Sequence, residues 1–341
     1  MRFHQRGAAI LMAMLTVTLV ASLAAAALWQ QWRSLEIEAA QRARIQSSWI
    51  LVGALDWARL ILREDARSGG PDHLAEPWAV PLEEARLATF FATDSNAAEQ
   101  ADDVQQSFIS GQITDLQSRL NVNNLVNVGK PSLSDVRQFA KLFDLLSLPD
   151  AELAQLVENL RFALDTSTDN RSGALAPLVP QRVEQLVWLG LSQQSVAALA
   201  PFVTLLPKRT QVNINTAPAE VIYASVKTLD LAGARQFVTA RTVNQFRTLP
   251  DASKLMGPRA EEVTEDIFSV KSEFFEVRGR LRLEETVVLE RSLVQRASPS
   301  GTDVKTLWRE RFASKVGAQG DDKATTRNSD DTPQRRSLQS P

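Results

Sequence analysis

Apolar positions follow three regimes along this chain. An unbroken run comes first, then helical and extended stripes, then two alternating segments before a polar end. The run covers Ala8 to Trp29 without a charge. As a helix it is about 33 Å long, against about 30 Å of bilayer hydrocarbon. A secretory h-region is only about 7–15 residues, although small residues leave signal-peptidase sites after Ala25 or Ala27 as an alternative. Arg2 and Arg6 precede the run with no acid between them, while Glu36 and Glu38 mix with Arg33 and Arg42 after it. That asymmetry predicts a cytoplasmic N-terminus, with the remainder sent across the membrane.

No breaker follows the run until Gly53, and the helical pattern continues to about Arg67. Ile45, Trp49, Val52 and Leu55 recur as an apolar stripe whose distal half is expected to pack on the protein's own sheet. "RSGGPDH", Arg67 to His73, then stops the helix. Residues 74–111 read as variable and partly exposed, with an acidic patch at Glu99 to Asp103. Between Phe108 and Val126, Ile113, Leu116 and Leu120 predict extended backbone that ends in a turn at Asn121, Asn123 and Asn124.

From Ser132 to about Ala200 the period becomes helical. Val136, Phe139, Leu142 and Phe143 follow Ser134 as N-cap; Leu153, Leu156, Val157 and Leu160 follow Asp150. After the second of these helices, "DTSTDNRSG" interrupts the series and places Asp165 and Asp169 among Ser, Thr and Asn oxygens. A hard cation such as calcium wants about 6–8 oxygen ligands. The distal Glu of an EF-hand is missing, so a solvated polar loop fits the same residues. Further on, Asn213 and Asn215 bracket an extended dipeptide, with Thr216 as N-cap, Pro218 in the first turn and Glu220 facing the helix dipole. "TLPDASKLMG", Thr248 to Gly257, reads as a capped helix start.

Ser272 to Arg296 is the clearest β signal. Phe275, Val277, Leu281 and Leu283 predict a dry face; Glu276, Arg278, Arg280 and Arg282 predict a wet one. Glu284 and Glu285 lead the chain into a second strand from Val287 to Val294. The arginines form a basic strip, expected to be internally paired with Glu276, Glu284, Glu285 and Glu290 rather than open to an anion. Trp308 to Phe312 reads as a short amphipathic fragment. After it, apolar residues nearly vanish, which predicts a disordered tail.

Composition removes most catalytic readings. The 341 residues contain no Cys and two His, His4 and His73. Thiolate chemistry, disulfides and multi-histidine metal sites therefore lack their parts. The formal net charge of −2 gives no bulk drive toward nucleic acid.

A basic leader ending at Gly7, followed by an apolar helix that runs on into an amphipathic one, resembles type IV pilins and pseudopilins. In those families a prepilin peptidase cuts after the glycine and methylates the new amine. The resemblance implies processing between Gly7 and Ala8, with Ala8 N-methylated and Met12 fifth in the mature chain. Most pilins carry Glu at that fifth place; its absence is similar to the minor pseudopilin K of type II secretion systems. "DLQSRLNVNNL", Asp115 to Leu125, resembles a "DLQGRFNLNNL" stretch of that family. Val212 to Glu220 and Phe274 to Arg280 are similar to further parts of it.

The resemblance implies an α+β pseudopilin fold, a long N-terminal helix on an antiparallel sheet, with a large inserted all-α domain resembling helix-hairpin-helix or SAM-like units. The expected division is a leader at 1–7, a transmembrane helix at 8–29, and the pseudopilin helix with the first part of the sheet at 30–120. The inserted domain follows at 121–268, a closing β-hairpin and segment at 269–312 and a tail at 313–341. The implied role is non-enzymatic: capping the pseudopilus tip and helping start its assembly for export across the outer membrane. Implied partners are I- and J-type minor pseudopilins, prepilin peptidase and inner-membrane lipid, with no nucleic acid. The implied location is a single pass through the bacterial inner membrane, with a periplasmic body. Calcium at Asp165 and Asp169 is the one candidate cofactor. "NINTA", Asn213 to Ala217, also resembles helix-hairpin-helix modules, which makes a membrane-anchored DNA receptor of competence type the alternative. Those modules hold phosphate on a Gly-x-Gly hairpin, where this chain has a lone Gly233 behind Asp230.

Overall fold

The computed structural model describes residues 6–87, 107–165, 175–283, 286–296 and 303–315. The acidic patch at 99–103, Asp169, Glu284, Glu285 and the tail beyond 315 lie outside them. Two compact units divide at Ala54/Leu55.

The first unit is helix. α1 runs from Arg6 to Ser68, and its apolar window has no buried share. Ile45 and Trp49 are exposed, at 59% and 71%.

In the second unit, α1 buries Leu55, Ala58 and Leu62 against Trp78, Ile113, Phe275, Val277, Val294 and Val304. Of the predicted stripe, only Leu55 enters this core. Where α1 ends, Gly69 and Gly70 take φ values of +68° and +118°, which glycine adopts without steric cost.

Next come a 3-10 turn at Pro77–Ala79, β1 (Leu82–Arg86) and β2 (Ser107–Asp115). The stretch expected to be variable and partly exposed supplies a core indole. Trp78 is 1% exposed and sits edge-on to Phe275, with ring centroids 5.2 Å apart. Its Nε1 donates to Glu76 Oε2 at 2.6 Å, as a buried indole N–H requires.

After β2 the chain is mainly helical, joined by two-residue bridges. In order these are β3 (Leu120–Asn121), β4 (Val126–Asn127), β5 (Lys130–Pro131), α2 (Leu133–Leu145) and α3 (Asp150–Ala163). A 3-10 turn at Val183–Leu189 leads to α4 (Gln193–Leu199), β6 (Val203–Thr204) and β7 (Val212–Asn213). α5 (Ala219–Ser225), α6 (Leu231–Val243), α7 (Leu249–Met256) and β8 (Phe268–Ser269) complete it. This region has a core of its own, including Val122, Phe139, Phe143, Leu156, Ile214 and Phe237.

Two predicted caps move. Ser132, not Ser134, is the N-cap of α2, and its hydroxyl bonds to Asp135. Thr216 does not cap α5, whose N-cap is Pro218; its hydroxyl is committed elsewhere, as described below. The start of α7 is as expected, a capping box of Thr248 and Asp251.

The chain then re-enters the sheet as β9 (Phe274–Leu283), β10 (Thr286–Arg296) and β11 (Val304–Lys315). Among the described residues the five-stranded order is β1-β2-β9-β10-β11, all antiparallel. Trp308 to Phe312 is therefore no separate fragment. It lies within β11, paired along β10, and the strand runs three residues past the expected end of ordered structure at 312. Trp308 and Phe312, four apart, suit a helix face as well as a strand; only pairing with β10 decides between them.

Candidate functional site

The end of β2 is where the two motifs of the middle chain meet. Asp115 is 2% exposed. Its Oδ2 accepts from Ser272 Oγ at 2.6 Å, Thr216 Oγ1 at 2.6 Å and Asn213 Nδ2 at 3.0 Å. Its Oδ1 accepts from the Gln117 N–H at 2.8 Å. Burial pushes the Asp115 carboxyl up to about 6, against the pull of those donors. One side chain thereby joins the end of β2, the entry to α5 and the approach to β9.

Beside it, Ser272 N donates to Asp72 Oδ2 at 2.6 Å. Arg296, at the end of β10, reaches both Asp72 and Asp65 at 2.6 Å and also donates to the Ser272 carbonyl at 2.7 Å. Burial, then the nearby Glu76 and Asp72 charges, push Asp65 up to about 7. Burial also raises Glu76. Oxygens of Asp65, Asp72 and Glu76 lie within 4.8 Å of one another, but the Arg296 guanidinium already pairs with two of these carboxylates. The cluster is an ion-paired joint.

The predicted asparagine turn is a clamp. Asn121 Oδ1 accepts from the backbone N–H of Asn123 and of Leu206, both at 3.1 Å, while its Nδ2 donates to the Lys208 carbonyl at 2.8 Å. Asn124 pairs with both backbone groups of Thr210, at 2.8 and 3.2 Å. Asn215 does the same with Phe246, at 2.9 Å each way. These amides mimic a neighbouring strand for backbone that has none. They fix geometry and carry no reaction.

The expected wet face of β9 is partly covered. Glu276 is 1% exposed, held between Arg278 and Arg291. Burial alone would raise its pKa, but the two arginines hold it below the ordinary value. Arg291 also reaches Glu184 at 3.3 Å, and Arg182 pairs with Glu310 at 2.6 Å. These ion pairs tie the 3-10 turn at 183–189 to β10 and β11. The rest of the basic strip is paired, but with a partner other than those expected: Arg280 and Arg282 both meet Glu84 on β1.

The remaining predicted residues are placed as follows. Asp165 stands just after Leu164, the C-cap of α3, and Asp169 lies outside the described residues, so the pair is not tested. Gly7 and Ala8 stand at the start of α1, a placement that leaves processing untested. At Gly233 the backbone N–H donates to Asp230 Oδ1 at 3.0 Å, capping α6. A Cβ there would meet that oxygen at 2.8 Å. The glycine serves the cap, and the carboxylate takes the donor that a phosphate would use.

Two family models, each described as type II secretion system protein K, match residues 118–208 and 212–271. Over these two regions the chain is similar to the type II secretion system protein K family. Similar relatives of that description come from Pseudomonas aeruginosa, 26% identical over 83% of this chain and 86% of the relative, and from Pectobacterium carotovorum, 25% identical over 86% and 93%. A third, from Klebsiella pneumoniae, is 27% identical over 73% of this chain and 79% of its own. Among solved structures, a chain of the GspK-GspI-GspJ complex from enterotoxigenic Escherichia coli shares the fold, with a TM-score of 0.57 at 20% identity. That likeness covers 80% of this chain and 98% of the other. Of the joint, Asn213 and Thr216 fall within the second matched region, while Asp65, Asp72, Asp115, Ser272 and Arg296 lie outside both.

Proposed function

We propose that this chain is a minor pseudopilin of a type II secretion system that caps the pseudopilus tip and helps start its assembly. It does so without catalysis, as a structural subunit of protein export across the outer membrane. The observation that carries this reading is architectural. Residues 116–273, with a core of their own, stand between two neighbouring strands of the sheet, and the protein K models fall on them. Such bulk on a pilin-like body obstructs a further subunit stacking above it.

Prepilin peptidase would cut between Gly7 and Ala8 and methylate Ala8, leaving the helix from Ala8 anchored in inner-membrane lipid with the body in the periplasm. Met12 gives the reading a second support. A carboxylate inside the bilayer is expensive without a partner. A subunit below can direct its own Glu to the Ala8 amine, but a subunit with nothing above it would leave an acid at position 12 unpaired. I- and J-type minor pseudopilins are the partners this reading assigns.

Co-purification in detergent tests it. The full-length chain should draw the I- and J-type subunits of its own system into one complex. A chain that stays alone at micromolar concentrations contradicts the tip assignment. The competence-type DNA reading predicts salt-sensitive DNA binding instead, and the Asp230 cap on Gly233 works against it.

A further inference from the structure

The uncharged run ends on a pair of indoles. Trp29 and Trp32 stand one helical turn apart on α1, ring centroids 5.5 Å from each other and tilted by 45°. Both are open to the surroundings, at 64% and 53% exposure. Around them the sequence changes character within a turn: Leu28 precedes, Gln30 and Gln31 intervene, and Arg33 brings the first charge after Ala8. Measured from Ala8, Trp29 lies about 32 Å up the helix, close to the hydrocarbon thickness of about 30 Å.

We propose that Trp29 and Trp32 form a paired indole anchor in the lipid headgroup layer, on the side where the chain's body lies, and fix how deeply the helix sits. The proposal rests on the membrane-spanning reading of Ala8–Trp29 and adds the surface that meets the lipid. An indole carries a large apolar ring and one N–H donor, so it suits a layer that is apolar on one side and wet on the other. The run slightly exceeds the hydrocarbon thickness, a mismatch that a helix absorbs by tilting while its interfacial anchors fix its depth. Arg33, next along, can extend its guanidinium to phosphate while its stem stays with the acyl chains. Contact with a neighbouring subunit's helix would not require the indoles to coincide with the end of the uncharged run.

The test uses the full-length chain in phosphatidylethanolamine and phosphatidylglycerol vesicles, with lipids brominated near the headgroup, at mid-chain or at the chain end. Trp29→Phe/Trp32→Phe is the comparison, and the tryptophan emission it removes is the signal followed. That emission should be quenched most by bromine near the headgroup and least at the chain end. Strongest quenching at the chain end, or none at any depth, overturns the anchor. Alkaline carbonate extraction separates the two readings. If the chain resists extraction while the indoles go unquenched, only the anchor fails. If the chain is released, the spanning helix and its anchor fail together. Trp29→Tyr/Trp32→Tyr should keep the helix at its depth, whereas the phenylalanine pair should let it slide, read as a shift of a probe attached at position 35.

Discussion

Thr216 Oγ1 donates to Asp115 Oδ2 at 2.6 Å, closing a loop of 101 residues. The two residues come from separate stretches, "DLQ" at the end of β2 and "NINTA" ahead of α5. Their meeting makes Asp115 the pin between the sheet and the helical region. Replacing Asp115 with Ala strands the Ser272 and Thr216 hydroxyls in a dry site, while Asn213 keeps the Asp72 carbonyl and Ser272 Oγ, and should cost about 3–5 kcal/mol. Thr216→Val, which removes one donor, should cost about 1–2 kcal/mol. Thermal unfolding of the full chain in detergent measures both, and equal effects would contradict the central place given to Asp115.

The same joint predicts a pH dependence. Burial raises Asp115 to about 6 and Asp65 to about 7 from an ordinary 3.8, so the folded state holds their protons more tightly than the unfolded chain does. The stability this contributes is complete below about pH 4 and is lost as pH rises through about 6 and then about 7. His73, Glu76, Asp72 and Arg296 are the other charged or titratable groups of the joint. The unfolding midpoint should therefore drop between pH 5 and pH 8. Asp65→Asn, whose amide needs no proton, should shrink that drop; an unchanged slope would contradict the assignment.

Much of this was legible in the sequence, and the misses share a physical cause. The long helix, its stop at Gly69, the helices around Phe139 and Leu156 and the pairing of β9 with β10 all follow from local period and local punctuation. The joint does not. Asp115, Asn213 and Ser272 are far apart in the chain, and no window of sequence shows that their side chains share one buried pocket. Trp78 was hidden in the same way, since its neighbours look like loop and its partner Phe275 lies on β9. Glu276 alternates with the dry residues and reads as wet, yet the 3-10 turn at 183–189, about 90 residues upstream, brings Glu184 to its partner Arg291. Asn121 and Asn124 gave a usable signal as a cluster, but a turn explains such a cluster as well as a clamp does.

Glu276 offers a test of that covered face. Its Ala variant leaves Arg278 and Arg291 without their shared anion and should cost about 2 kcal/mol, discounted because both arginines remain partly exposed. Glu276→Gln should recover part of the loss by keeping one acceptor. A neutral Ala variant would mean that the ion pairs at this face contribute nothing.

Gly233→Ala tests the capping role given to the lone glycine. The new methyl would stand 2.8 Å from Asp230 Oδ1 and 2.9 Å from Leu229 Cδ1, displacing the cap of α6. The expected loss is about 1 kcal/mol, the usual worth of an N-cap. DNA affinity at low salt should stay absent in both forms.

Met12→Glu addresses the tip position. Placed in the native secretion system, the variant should behave as a mid-filament subunit and start fewer pseudopili, read as filament number per cell at equal protein level. Unchanged initiation would remove the argument from the missing acid.

The proposed role requires that the apolar helix be kept after processing at Gly7. Intact mass and N-terminal fragmentation of the mature protein, purified from membranes of its own host, test this directly. The mature chain should begin at N-methylated Ala8. A mature start near Ala26 or Leu28 would show that the helix is discarded as a secretory signal, and would contradict the pseudopilin reading.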